Sequence, residues 1–148
     1  MNVRAFDPLH VVAAHLAVLV AVLHLALGVS NWLTYLSAGI VFPPDLRWPL
    51  FVVSGLALVG GLLAAVAGAD RRPLYVGGVA LMVVYVVGYF AWHASGHRPL
   101  FVVGTGTHHH GLTLAYLGAH VVAGPVETLA LASETALAGL LAYFLYRE

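Results

Sequence analysis

The sequence predicts an all-α integral membrane protein: a bundle of four transmembrane helices with a long outer loop that contains an interfacial or re-entrant helix. Three observations lead to this class. The chain is 61% hydrophobic and only 8% charged, whereas a soluble domain is about 25% charged. Its mean hydropathy is +0.95. Four apolar runs also approach the roughly 20 residues that a helix needs to cross a bilayer. We expect residues 1–148 to form a single membrane domain.

The composition excludes several classes of function. There is no cysteine, so disulfides, thiolate metal sites and thiol catalysis are excluded. The net charge is zero, which leaves no basic surface for nucleic acid. No nucleophile-elbow, phosphate-loop, dinucleotide or zinc-protease motif is present, so the sequence gives no positive sign of an enzyme. The expected partner is the lipid bilayer, with other membrane subunits or further copies of the chain left open.

The four spans follow from the apolar runs and their interruptions. The first is predicted at residues 9–28, the second at 50–68, the third at 74–93 and the fourth at 126–146. Asp7 precedes the first span as an N-cap. Glycine and alanine are frequent in the second span, and small residues let helices approach closely in a membrane. We therefore expect the second span at the centre of the bundle.

Two connecting segments are long. Residues 29–49 contain Pro43, Pro44 and Pro49, and since proline interrupts helices, this segment is predicted to lie along the membrane surface. Residues 112–123 are apolar but too short to span, which favours an interfacial or re-entrant helix.

The arginines predict the orientation of the chain. Cytoplasmic loops carry an excess of positive charge. Placing both termini in the cytoplasm of a multi-pass cell-membrane protein puts four arginines inside and two outside. The inner four are Arg4, Arg71, Arg72 and Arg147, and the outer two are Arg47 and Arg98.

A cluster of histidines carries the most concentrated chemistry. Of nine histidines in the chain, five fall within residues 92–110. His93 and His97 are four apart, which puts them on one helix face, and His108 and His110 have the spacing of ligands on an extended segment. Imidazoles of this kind bind zinc or copper. The leading interpretation is an outer-face site for one of these ions, formed by His93, His97, His108 and His110 with Glu127 as a further ligand or hydrogen-bond acceptor.

Three alternatives stay open. The histidines could simply bind water and headgroups, in which case the chain is a non-catalytic structural or accessory subunit of a larger membrane complex. His24 and His93 lie near the ends of two spans, and a bundle can hold haem b between facing histidines. Glu134 lies about nine residues into the fourth span, where an ionisable group is a functional hypothesis by default. Glu134 therefore predicts either a proton-coupled carrier or an interhelical hydrogen bond. The nearest histidine in depth, and so the expected partner, is His24.

Three segments resemble the small four-helix membrane proteins of salt-loving archaea. They are RRPLYVG at residues 71–77, LLAYFLYRE at 140–148 and HLALG at 24–28. The resemblance covers most of the chain and implies the same fold and membrane location, but no activity. The triple histidine at residues 108–110 departs from it.

Overall fold

The computed structural model describes residues 7–95 and 114–147, and all the regular secondary structure in this part of the chain is helical. Four of its five helices are long and apolar enough to cross a membrane, which indicates a multi-pass membrane protein and agrees with the predicted number of spans. The helices are α1 (Pro8–Ser37), α2 (Arg47–Val66), α3 (Arg71–Ala94), α4 (Leu114–Val121) and α5 (Pro125–Arg147). The short α4 falls within the segment predicted to be interfacial or re-entrant.

The first helix is longer than predicted. It has 30 residues and ends at Ser37, so the first part of the segment predicted to lie along the membrane surface is instead helical. No glycine or proline interrupts residues 29–37, and the chain leaves the helix at Gly39, whose φ of 76° suits glycine. Pro43 and Pro44 come after this turn. Pro49 lies in the first turn of α2, where a missing N–H has no cost.

The central helices are α1 and α5 and not α2, so the prediction for the second span was wrong. α1 packs on α2 and α5, and α5 packs on α3, whereas α2 and α3 meet only sparsely. A Cβ on Gly55 of α2 would lie 2.6 Å from Leu25 of α1, but Gly60 and Gly61 face open space. Two of the three glycines of α2 therefore do not serve close packing.

An apolar layer fills the middle of the bundle. Val20, Met82 and Leu137, from α1, α3 and α5, are at most 1% exposed. The layer lies between the end of the bundle that holds His10, called here the His10 end, and the end that holds His93, called here the His93 end. At the His10 end, His10 stacks on Phe144 at 4.2 Å.

The α1–α2 contact gives a direct test of the packing. A Cβ on Gly28 would lie 2.8 Å from the carbonyl oxygen of Trp48 and 2.9 Å from the backbone nitrogen of Val52. Backbone cannot move aside as a side chain can, so Gly28→Ala should lower the free energy of unfolding by about 1–3 kcal/mol. This loss should appear even though alanine favours helix. The control, Gly60→Ala, adds a Cβ in open space and should be neutral or slightly stabilising. Equal unfolding free energies of the two variants in detergent would contradict this packing.

Candidate functional site

A cavity of about 730 Å³ lies at the His93 end of the bundle and is called here the His24 cavity. All four long helices contribute to its wall. Most of the wall is apolar or aromatic, and its polar side chains form two groups. The inner group is His24, Glu134, Tyr85 and Ser54, and the group nearer the His93 end is His93, His120, Glu127, Tyr89, Asp45 and Arg47.

The inner group is centred on a contact between α1 and α5. Nε2 of His24 lies 3.2 Å from Oε1 of Glu134, and both side chains are buried. The other ring nitrogen of His24, Nδ1, lies 3.0 Å from the carbonyl oxygen of Val20. Glu134, which was singled out for its depth in the fourth span, thus lies beside His24, the histidine predicted to be nearest to it in depth.

The chemistry of this pair requires a shared proton. A carbonyl oxygen only accepts, so Nδ1 of His24 carries a hydrogen and donates it to Val20. If Nε2 and Glu134 were both unprotonated, two lone pairs would face each other in a buried site. One proton therefore lies between them, as a carboxylic acid that donates to imidazole or as an imidazolium that donates to carboxylate. Either form is neutral overall, which lowers the cost of burying the pair.

Tyr85 of α3 and Ser54 of α2 complete the inner group. The Tyr85 ring lies against the His24 ring, with centroids 4.2 Å apart. The Tyr85 hydroxyl bonds to the Ser54 hydroxyl and lies 3.3 Å from the carbonyl oxygen of Leu50. These bonds cross from α3 to α2, two helices that otherwise meet only sparsely, and they place two hydroxyls near the proton-sharing pair.

The second group lies where α3, α4 and α5 meet, with Asp45 and Arg47 contributed from around the start of α2. The His93 and His120 rings have centroids 4.9 Å apart. Each ring donates from Nδ1 to the carbonyl four residues earlier, at 2.8 Å to Tyr89 and 2.9 Å to Tyr116. The neutral rings thus carry their lone pairs on Nε2. Glu127, in the first turn of α5, is near enough to interact electrostatically with His93.

No protein-family model matches the chain, and no curated protein or solved structure is significantly similar to it. The residues themselves carry the functional argument.

The predicted metal ligands are only partly covered by the structure. His93 and Glu127 line the same cavity, whereas His97, His108 and His110 lie outside the described residues. Within residues 7–95 and 114–147, no three histidine, aspartate or glutamate side chains converge closely enough to hold a metal ion. The zinc or copper site therefore stays a prediction.

The haem interpretation also stays a prediction. His24 and His93 both line the His24 cavity, but each ring has its own neighbour: His24 contacts Glu134 and His93 contacts His120. To hold a haem together with His93, His24 would have to give up the contact of its Nε2 with Glu134.

Tyr85, Ser54 and His120 are among the polar residues of the site that were not predicted from sequence. Tyr85 and Ser54 had only the general signals of a polar residue within an apolar helix. His120 is 27 positions after His93, and no local spacing relates the two. Their contact depends on α4 returning to the end of α3.

Proposed function

We propose that the protein is a multi-pass membrane protein that binds a small molecule in the His24 cavity. The His24–Glu134 pair would anchor a hydrogen-bonding end of this molecule and exchange a proton with it. The observation that carries the proposal is the location of a buried, proton-sharing pair in the wall of a mostly apolar cavity. A volume of about 730 Å³ lies within the range of about 300–1,000 Å³ that is usual for small-molecule sites.

The apolar layer favours a function in binding a small molecule over a function in carrying protons across the bundle. Val20 lies one turn from His24 on α1, and Leu137 lies one turn from Glu134 on α5. Both are almost fully buried and neither can relay a proton. The proton-coupled carrier built on Glu134 would thus need a second arrangement of the helices, whereas a binding site does not.

We also propose which end of the bundle faces the cytoplasm. The excess of arginine at the His10 end favours cytoplasmic termini, which makes the His93 end the outer one. The eight residues of α4 extend about 12 Å, too short to span, so we place α4 in the outer interface as an interfacial or re-entrant helix.

Filling the cavity tests the proposal without knowledge of the ligand. Gly88 lines the His24 cavity, and no atom lies within 4 Å of a Cβ at this position. The leucine side chain of Gly88→Leu should therefore enter the cavity without a clash at its Cβ. The matched control is Gly60→Leu, which adds the same side chain in open space outside the cavity lining. Wild-type, Gly88→Leu and Gly60→Leu proteins would be purified in mild detergent, and the bound small molecules would be extracted and compared by mass spectrometry.

We expect one species at near-stoichiometric amounts in the wild type and in Gly60→Leu, and at least a tenfold lower amount in Gly88→Leu. An equal amount in all three proteins would place the molecule outside the cavity. No bound species in the wild type would also contradict the proposal, and the accessory-subunit interpretation would then take its place.

A second candidate function is binding of Zn²⁺ or Cu²⁺ at the His93 end. The contact between His93 and His120 favours it, because two imidazoles already lie side by side with Glu127 close to His93. We propose that the ion would be held by these residues together with His97, His108 or His110. Imidazole and carboxylate ligands without thiolate suit these metals.

A further inference from the structure

The His24 cavity opens at the side of the bundle, between α2 and α3. Val53 of α2 and Val84 of α3 both line it, yet they are 62% and 64% exposed. Both residues lie within their helices and not at the ends, so in a membrane the opening between them faces lipid chains. A ligand that enters by this route must first dissolve in the bilayer.

A second cavity continues the same opening toward the His10 end. It has a volume of about 1060 Å³ and includes Tyr75 in its wall, and it is called here the Tyr75 cavity. Ala57 and Leu81 line both cavities, so the two form one cleft with a narrow point. Gly61 of α2 and Gly77 of α3 line the Tyr75 cavity, and no atom lies within 4 Å of a Cβ at either position. The two helices thus leave an apolar space between them.

The wall of the His24 cavity suits a planar, uncharged ring. Aromatic rings stack on planar groups at low cost in conformational freedom. The Tyr85 hydroxyl donates to Ser54, and by rotation about its C–O bond it can donate to a ring oxygen instead. The one arginine among the described lining residues, Arg47, is held by Asp45 at 2.5 Å, which disfavours a charged phosphate headgroup. The aromatic lining residues are Trp48, Phe51, Tyr85, Tyr89 and Trp92.

We propose that the ligand is a long-chain quinone or quinol, with its ring in the His24 cavity and its apolar chain along the Tyr75 cavity. The inference rests on the proposed function and names its substrate class. The ring oxygens would bond at the level of His24, Glu134 and Tyr85. From Ala57 to Ala65, the chain would run about 12 Å along α2.

Two probes separate the ring from the chain: a methylnaphthoquinone, and the same ring with a decyl chain. Quinones quench tryptophan fluorescence, and Trp48 and Trp92 line the His24 cavity, so a Trp32→Phe background would leave only these two reporters. Binding would be measured in lipid nanodiscs for this background protein and for its Gly61→Leu and Gly60→Leu derivatives. Gly61 lines the Tyr75 cavity, whereas Gly60 is its neighbour outside the lining. Partition of the decyl probe into lipid is the same in all three samples.

We expect the decyl probe to bind at least tenfold more tightly than the ring alone in the background protein and in Gly60→Leu. In Gly61→Leu the decyl probe should lose at least fivefold in affinity, while the ring alone binds as before. Equal affinity of the decyl probe for the two leucine variants would overturn the chain site. Failure of both probes to bind, with a co-purified molecule still lost in Gly88→Leu, would overturn the quinone class and leave the proposed function intact. Quenching by a brominated phospholipid that is lost in Gly61→Leu would assign the cleft to a phospholipid instead.

Discussion

Glu134→Leu and His24→Leu should each destabilise the bundle, and the double variant should recover most of the lost stability. Each single substitution leaves a buried polar partner without its hydrogen bond. The expected cost is about 1–3 kcal/mol if the pair consists of neutral groups and about 3–5 kcal/mol if it is ionised. Replacement of both members by apolar residues removes the unsatisfied group, which is often neutral or stabilising for a buried pair. The free energy of unfolding in mixed detergent micelles would measure all three variants.

Ser133→Ala is the control for this experiment. Ser133 is buried beside Glu134 in sequence, but its hydroxyl bonds to Ala130 within its own helix, at 2.9 Å. Its loss should cost no more than about 1 kcal/mol, since such bonds contribute little in membranes. Additive effects of the two leucine substitutions would show that His24 and Glu134 are not coupled.

Glu134→Gln separates structure from proton exchange at the same position. The amide of glutamine can donate to Nε2 of His24, so the stability should stay within about 1 kcal/mol of the wild type. The amide does not release a proton near neutral pH. If the pair gains a proton from the solvent or loses one to it when the ligand binds, the affinity for the ligand depends on pH in the wild type. In Glu134→Gln this pH dependence should disappear while the fold is kept, and a pH dependence unchanged from that of the wild type would assign the proton to another group.

Hydropathy was sufficient to predict the number and approximate position of the long helices. A stretch of about 20 apolar residues has few alternatives to a helix in a membrane. The ends were less predictable. The effect of Pro43 and Pro44 was assigned to the whole segment 29–49, although a proline disturbs mainly the helix turn before it. As a result, nine helical residues of α1 were missed, from Val29 to Ser37.

The role of the glycines could not be predicted from composition. A glycine permits a close helix contact but does not require one, and only the positions of neighbouring helices decide the outcome. Gly28 and Gly55 meet α2 and α1 respectively at short distances, whereas Gly61 and Gly77 face an open cleft. The same residue type thus contributes to packing in one place and to a cavity wall in another.

The two parts of the site differed in how far the sequence could predict them. The pairing of Glu134 with His24 was foreseeable because helix depth can be counted from the ends of the spans. The contact of His93 with His120 was not, since the direction in which α4 returns depends on a connection without periodic sequence signals. The depth of a residue in a span can be counted from the nearby sequence, whereas the packing of α4 against α3 depends on the path of the whole connection between them.

Binding of Zn²⁺ or Cu²⁺ should depend on His93 and on His120, the histidine that the structure adds to the predicted site. With both residues present we expect a dissociation constant below about 1 μM, equivalent to about −8 kcal/mol. His93→Ala and His120→Ala should each weaken binding by at least about a hundredfold, since the loss of even an outer hydrogen-bond partner costs about 10- to 100-fold. Isothermal titration calorimetry of the purified protein would measure these constants.

The control for the metal experiment is His15→Ala. The His15 ring is exposed and bonds to the carbonyl oxygen of Val11 within α1, at 2.7 Å. His15→Ala therefore measures how much metal binds non-specifically to an exposed histidine. Its removal should leave the affinity unchanged. Affinity in the wild type should also fall as the pH is lowered, because protons compete with the metal for the imidazole nitrogens. If His15→Ala weakens binding as much as His93→Ala does, or if the wild type binds no more tightly than 1 μM, the contact between His93 and His120 has a structural role only. It would then serve to hold α4 against α3 beside the His24 cavity.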